Sequence, residues 1–240
     1  MKRAIIIGLN YTGTEYALPD CELDADNMAV MLEAAGVKCE VTKGDATPTA
    51  LISYLVNYAS TQHKKTDTLY LYFSGHGTQM PNRAEPDKYD EAICLYDDIR
   101  GVMPLKDHDL RAALDQVPGT KIVILDCCFA GGMEREVMRP DRKAKFIQFA
   151  DGMTVYKIPD VLKREKAASP GKTYFLFACQ EAEVSYSTGY GGLFTNALKR
   201  GRQNELRTIS KLLAFARIFC GNSQTPTAKI VGGNGSKRVL

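Results

Sequence analysis

Apolar residues along this chain come in short unbroken runs, and between the runs they recur at helical spacing. "RAIIIGL" (3–9), "TLYLYF" (68–73), "KIVILD" (121–126) and "TYFLFA" (173–178) are apolar almost throughout, and "KCEVTK" (38–43) is a weaker run of the same kind. A strand with one wet face alternates apolar and polar residues, whereas a strand buried on both faces does not. The spacing predicts a helix over 21–35, with Leu23, Met28, Met31 and Leu32 on one side, and another over 50–58, with Thr47 or Thr49 as its cap. Further helices are predicted over 105–114, 193–200 and 209–219, and "AKIV" (228–231) reads as an edge strand. Buried strands alternating with helices imply an α/β fold, a mainly parallel central sheet flanked by helices. In such sheets ligands bind beyond the carboxyl ends of the strands.

Two segments break the rhythm, 77–100 and 132–172, and the second is polar and rich in Lys and Arg. Loops of that length in a compact domain are functional or disordered. With 240 residues, the reading is one domain over 1–240 with the 132–172 loop inside it. The net charge is +3, from 31 basic and 28 acidic residues, too balanced for a nucleic-acid footprint. No stretch approaches the ~20 apolar residues of a membrane span. "MKRAIIIGLNY" starts basic, but its apolar part is short and soon turns polar, so it reads as the first strand of a cytoplasmic protein rather than a signal peptide. The 7 cysteines are odd in number and form no C-x-x-C pair, which fits reduced thiols better than disulfides or zinc.

The chemistry gathers at two strand ends. "LYLYFSGHG" carries Ser74 and His76 past one strand, and "VILDCCFAGG" carries Asp126, Cys127 and Cys128 past another. Gly75 and Gly77 let the backbone turn sharply around the imidazole. A histidine that accepts a thiol proton makes cysteine a capable nucleophile. Backbone N–H groups beside it, those of Gly77 and Cys128, can hold an oxyanion. Either motif alone fits a structural histidine or a buried apolar cysteine; together, at one edge of a parallel sheet, they favour catalysis.

"YFSGHGTQ", with "DCC" placing Cys128 52 positions after His76, resembles the caspase clan, and most closely the metacaspases and orthocaspases. "AIIIGLNY…LPDCELDADNM", "YDEAICLYD" and "SQTP" are similar to other stretches of that family, so the resemblance covers most of the chain. It implies a caspase-like fold and a His76–Cys128 dyad, with Cys127 turned into the core, as the two-residue period of a strand also suggests. Phe129-Ala130 stands where metacaspases usually carry His-Ser. The resemblance further implies an S1 pocket for Arg or Lys built from Cys21, Asp24, Ser74 and Asp126. Cys21 and Asp24, three apart, share a helix face, and two carboxylates favour a cation. Asp24 could instead be a helix-start charge.

These features imply a cysteine endopeptidase cleaving protein substrates after Arg or Lys, with no cofactor required for the chemistry. The alternatives are a catalytically silent caspase-fold binding module and a clostripain-like or legumain-like protease. Family habit adds calcium as an activator, with Asp90, Asp107 and Glu134 as ligands and His108 where an acid is usual; a solvated acidic loop is the other reading. It also adds a monomer, an upstream activator, and an effector role in bacterial stress or defence. The basic loop after Cys128 is expected to be cut by the protein itself, around 142–145 or 163–166; alternatively its charges only solvate it.

Overall fold

The structure, a computed structural model, describes residues 1–61, 64–82, 89–99, 101–129, 142–149, 153–164, 171–180 and 183–239. In chain order the elements are β1 (Lys2–Gly8), α1 (Cys21–Glu33), β2 (Lys38–Lys43), α2 (Pro48–Thr61), β3 (Thr68–Ser74), β4 (Gly77–Pro81), β5 (Tyr89–Leu95), β6 (Met103–Lys106) and α3 (Asp107–Asp115). Then come β7 (Thr120–Asp126), β8 (Lys143–Ala144), α4 (Asp160–Arg164), β9 (Lys172–Phe177), β10 (Tyr186–Ser187), α5 (Leu193–Gln203), α6 (Ile209–Cys220) and β11 (Thr227–Val231). The main sheet runs β11-β9-β7-β3-β1-β2. Its five other strands are parallel, and β11 pairs antiparallel with β9 at the edge.

Strand parity decides which helices each residue meets. Leu69, Leu71 and Phe73 of β3, Val123 and Leu125 of β7, and Cys127 just past its end enter one core with Leu51 and Leu55 of α2 and Leu110 and Leu114 of α3. Tyr70 and Tyr72, with Ile122 and Ile124, enter the other, with Met28 and Leu32 of α1, Phe194 and Leu198 of α5, and Leu212 of α6. The same alternation carries Ser74 and Asp126, one step beyond, to the α1–α5 side. The register aligns Gly8 with Ser74 and Ser74 with Asp126, so three strand ends finish in one row. Gly8 is required there, because a Cβ would run into the Cys21 carbonyl at the start of α1.

Three expectations change. The 77–100 segment is not a structureless loop where it is described: β4 and β5, with β6 just after them, form a small antiparallel sheet, and "YDEAICL" is its central strand. The helix expected from 105 begins only at Asp107, because Met103–Lys106 extends to pair with β5. Leu23 lies 45% exposed; the buried stripe of α1 instead runs through Cys21, Asp24, Ala25 and Met28, an acid replacing a leucine because the strand ends beneath it are polar. The Thr47 hydroxyl accepts from the Ala50 N–H and caps α2, with Pro48 in its first turn.

Candidate active site

Asp24, Ser74 and Asp126 converge at the strand ends and are wholly buried, as is Cys21 beside them. The group they surround is the ammonium of Lys145, a residue of the basic loop that is itself 0% exposed. Its Nζ lies 2.9 Å from Asp24 Oδ2, 2.9 Å from Ser74 Oγ and 3.2 Å from Asp126 Oδ1, so all three of its protons have acceptors. Ser74 passes its own hydroxyl proton to Asp24 Oδ2 at 2.8 Å. Asp24 Oδ1 accepts from the Gly192 N–H at 2.7 Å. Asp126 accepts from Ser185 Oγ at 3.1 Å, and from the N–H and hydroxyl of Thr195 at 3.2 and 2.6 Å. Burial, then the charge of Asp126, pushes Asp24 up to about 6, while Lys145 and Ser74 pull it back. The two carboxylates hold Lys145 well above the usual lysine range against the effect of its burial, and burial drives the Cys21 thiol up to about 12.

Asp20 shapes the far wall. Its carboxylate accepts from the N–H groups of Thr188, Gly189 and Gly191 at 3.0, 2.8 and 2.9 Å and from the Ser187 hydroxyl. That folds the 187–192 turn over the pocket. Gly192 closes it, and a Cβ there would run into both Lys145 Nζ and Asp126 Oδ2.

The backbone of Lys145 is held as firmly as its side chain. Its carbonyl oxygen accepts from the N–H of Gly77 at 2.9 Å and of Cys128 at 3.2 Å, the two donors expected to cradle an oxyanion. Its N–H donates to the Ser185 carbonyl at 2.9 Å, and Ile147 N–H donates to the Gly77 carbonyl at 2.9 Å. Lys143 and Ala144 pair antiparallel with Ser187 and Tyr186. Residues 143–147 thus cross the strand ends as an added strand. Gly77 must be glycine for this approach, since a Cβ would strike the Cys128 carbonyl. Upstream, the Arg142 guanidinium lies 5.8 Å from the Tyr186 ring centroid and donates to Ser223 Oγ at 3.0 Å. Downstream, Phe146 joins Cys128, Cys179 and Val184 in an apolar cluster, and Ile147 enters the α2–α3 core.

His76 is buried beside the Tyr11 ring, centroids 4.9 Å apart, and its N–H donates to Tyr11 Oη at 3.0 Å. Its Nε2 lies 2.7 Å from the Tyr16 carbonyl. A carbonyl only accepts, so Nε2 carries the proton and Nδ1 is left with its lone pair. Nδ1 is buried without a hydrogen-bond partner among the described residues. Burial first, then the charges of Lys145 and Lys143, lower this imidazole to about 4 despite the Tyr16 carbonyl. Cys127 faces the α2–α3 core and burial raises its thiol well above the ordinary range, whereas Cys128 falls on the other side, with Phe146.

Among the described residues the expected calcium ligands form no such centre. Asp90 accepts from Asn82 Nδ2 at 2.8 Å and from the Lys106 ammonium, and His108 Nδ1 lies 3.7 and 3.9 Å from Asp90 and Asp107. Glu134 lies outside the described residues. Two carboxylates, one already neutralised by a lysine, do not fit an ion that takes 6–8 oxygen ligands. Asp20, Cys21 and Asp24 also lie close together, but their carboxylates are filled by the contacts above. Lys163 pairs with Asp109 at 3.2 Å, away from the pocket. The structure brings the four expected pocket residues together around Lys145, and it sets His76 and Cys128 just past the ends of the paired strands β3 and β7. Sequence reasoning missed Asp20, Tyr11, the Tyr16 carbonyl, Ser185, Gly192, Thr195 and, above all, which of the loop's cations enters the pocket.

Comparison with known proteins agrees with this geometry. The Caspase domain family matches residues 1–227. Metacaspase-7 of Arabidopsis thaliana is 31% identical over 175 residues, covering 62% of this chain and 41% of that protein, and metacaspases of Trypanosoma brucei and Aspergillus oryzae also match. The chain spans about half the length of the curated relatives it matches. Protein GSU0716 from Geobacter sulfurreducens superposes with a TM-score of 0.76 at 22% identity, covering 99% of this chain and 98% of that one. Caspase-1 from Spodoptera frugiperda superposes with a TM-score of 0.60 at 16% identity, covering 95% and 85%. The likeness to the insect caspase establishes the fold, and the match over residues 1–227 establishes the family: the chain belongs to the Caspase domain family, and among curated proteins it is similar to metacaspases.

Proposed function

We propose that this protein is a cysteine endopeptidase that cleaves after Lys or Arg, and that its own Lys145–Phe146 bond is its first substrate. One observation carries the reading. Lys145 has its ammonium between Asp24 and Asp126 and its carbonyl oxygen on the Gly77 and Cys128 N–H groups. That is the pose of a residue preceding a bond about to be cut. A guanidinium is also cationic and, with its planar fork of N–H donors, suits the same acceptors.

In this mechanism Nδ1 of His76 takes the thiol proton of Cys128. The thiolate attacks the Lys145 carbonyl carbon, and the oxygen gathers negative charge on two N–H donors already in place. Losing one such donor typically costs ~3–4 kcal/mol of barrier. The imidazolium returns its proton to the amine of Phe146, which leaves, and a thioester joins Cys128 to Lys145. Water, deprotonated by the same Nδ1, releases the acid and restores the thiol. The Tyr16 carbonyl fixes the tautomer and steadies the cationic imidazole throughout. No step passes through calcium.

Added-strand binding extends the preference beyond one residue. Substrates with a cation three positions before the cleaved-after residue meet Tyr186 and Ser223, and an apolar residue after the bond meets Cys179 and Val184. Turnover on peptides varied at the residue before the bond and three positions further back tests both levels. We expect Lys and Arg to be cut and Asp to be ignored, with Arg three positions earlier raising kcat/KM about 5–30-fold, as expected for ~1–2 kcal/mol of cation–π and hydrogen-bond contact. Cleavage after Asp, or of no basic peptide, would overturn the reading.

A further inference from the structure

A second concave site lies at the opposite end of the sheet, and neither the fold nor the peptidase chemistry uses it. It has a volume of about 420 Å³ and opens between the first residues of β1 and β3, the last turn of α5 and the C-terminal segment. Lys2, Arg202, Arg207, Lys237 and Arg238 line it, and the described lining residues include no acid. None of the five forms an ion pair among the described residues. Arg202 Nε and Arg207 Nη1 are buried with no hydrogen-bond partner among the described residues.

Such an arrangement is costly as it stands. Each buried N–H without an acceptor loses its hydration and gains nothing, and five like charges around one hollow repel each other. Burial and the charges of Lys2 and Lys172 lower Lys237 below the usual lysine range. The carbonyl-rich end of α5 accounts for Arg202, but not for the four cations contributed by other segments. Nor is the wall a loose tail. Val239 N–H donates to the Arg207 carbonyl at 2.7 Å, Ile209 N–H to the Lys237 carbonyl at 3.1 Å, and Tyr70 Oη to the Val239 carbonyl at 2.9 Å. A hollow of this size suits a small ligand. A nucleic-acid duplex needs a basic stripe along a face, which the near-neutral chain does not supply.

We propose that this pocket binds a compact anion bearing two or more phosphate groups, whose oxygens fill the orphaned guanidinium donors and neutralise the five cations. The inference is independent of the peptidase reading.

The test uses the full chain carrying Cys128→Ala, with inorganic tripolyphosphate as probe, in calorimetry and thermal melting at fixed ionic strength. We expect saturable binding of one tripolyphosphate per chain and a rise in Tm. Kd should weaken at least 10-fold in Arg207→Ala and in Lys237→Ala, and should not change in Lys211→Ala, on the exposed face of α6. Circular dichroism confirms that each variant is folded; where Arg207→Ala is not, Lys2→Ala together with Arg238→Ala, both at exposed positions, gives the same comparison. Unsaturable binding, equal Kd in the folded pocket variants, or stronger binding of a DNA oligonucleotide at equal charge would overturn the proposal.

Discussion

Replacing Lys145 by alanine removes the cation from between two carboxylates that water does not reach. Asp24 and Asp126 are 0% exposed, and the ammonium lies 2.9 and 3.2 Å from them. Removing one partner of a buried ion pair costs ~3–5 kcal/mol, because the remaining charge stays desolvated. Water entering the emptied pocket brings the figure toward ~3 kcal/mol, since it hydrates the carboxylates at the expense of loosening 143–147 from the cleft. In a chain of this size each kcal/mol lowers Tm by ~2–4 °C, so Lys145→Ala in a Cys128→Ala background should melt roughly 6–20 °C lower, with the smaller end favoured. Lys145→Arg keeps the charge and should recover most of the loss. With Cys128 intact, Lys145→Ala should also cut added Arg peptides without the lag expected of the parent, because no tethered side chain competes for the pocket. Differential scanning calorimetry reads the first effect and a fluorogenic time course the second. A Lys145→Ala variant melting within about 1 °C of its parent would refute the reasoning: the pocket would not depend on that ammonium.

Gly192→Ala should block cleavage of basic substrates and of the chain itself, because its methyl group takes the space of the ammonium; unchanged kcat/KM would show the pocket lies elsewhere. Cys128→Ala should abolish turnover. Cys127→Ala should cost roughly 1 kcal/mol of stability, as for a small core truncation, and keep activity, so thiol labelling that inactivates through Cys127 would contradict the assignment. His76 is lowered to about 4 in the docked form. Its contribution to stability is therefore fully present above pH 6.5, the ordinary histidine value, and is lost as pH falls through 4. NMR titration of Cys128→Ala should find one imidazole still neutral at pH 5, and three ordinary titrations near 6.5 would contradict it.

Much of this site is legible in the sequence because it sits where strands end. Unbroken apolar runs ending in "SGHG" and "DCC" place Ser74, His76, Asp126 and Cys128 at one sheet edge, and parity separates Cys127 from Cys128. Asp24 is ambiguous from sequence alone, since an acid near a helix start has a local explanation; only packing of α1 over the strand ends turns it to the pocket. Lys145 is not legible. The 132–172 loop offers many equivalent cations, and the choice among them is made by the pairing of Lys143–Ala144 with Tyr186–Ser187, a contact between segments with no local signal. Tyr16 and Ser185 act through main-chain carbonyls, which no residue type announces. The β4–β6 sheet was hidden because turn residues surround its short strands, although the alternation in "YDEAICL" is its trace.

The central claim, that Lys145 lies in the cleft as the residue to be cleaved after, is tested most directly by the termini the protein makes from itself. Wild type and Cys128→Ala are incubated side by side and their products identified by intact mass and N-terminal sequencing. The account predicts a new N-terminus at Phe146 in the wild type and an uncut chain in Cys128→Ala. A wild type that turns over peptides yet stays a single chain, or a Phe146 terminus that also appears in Cys128→Ala, would contradict it.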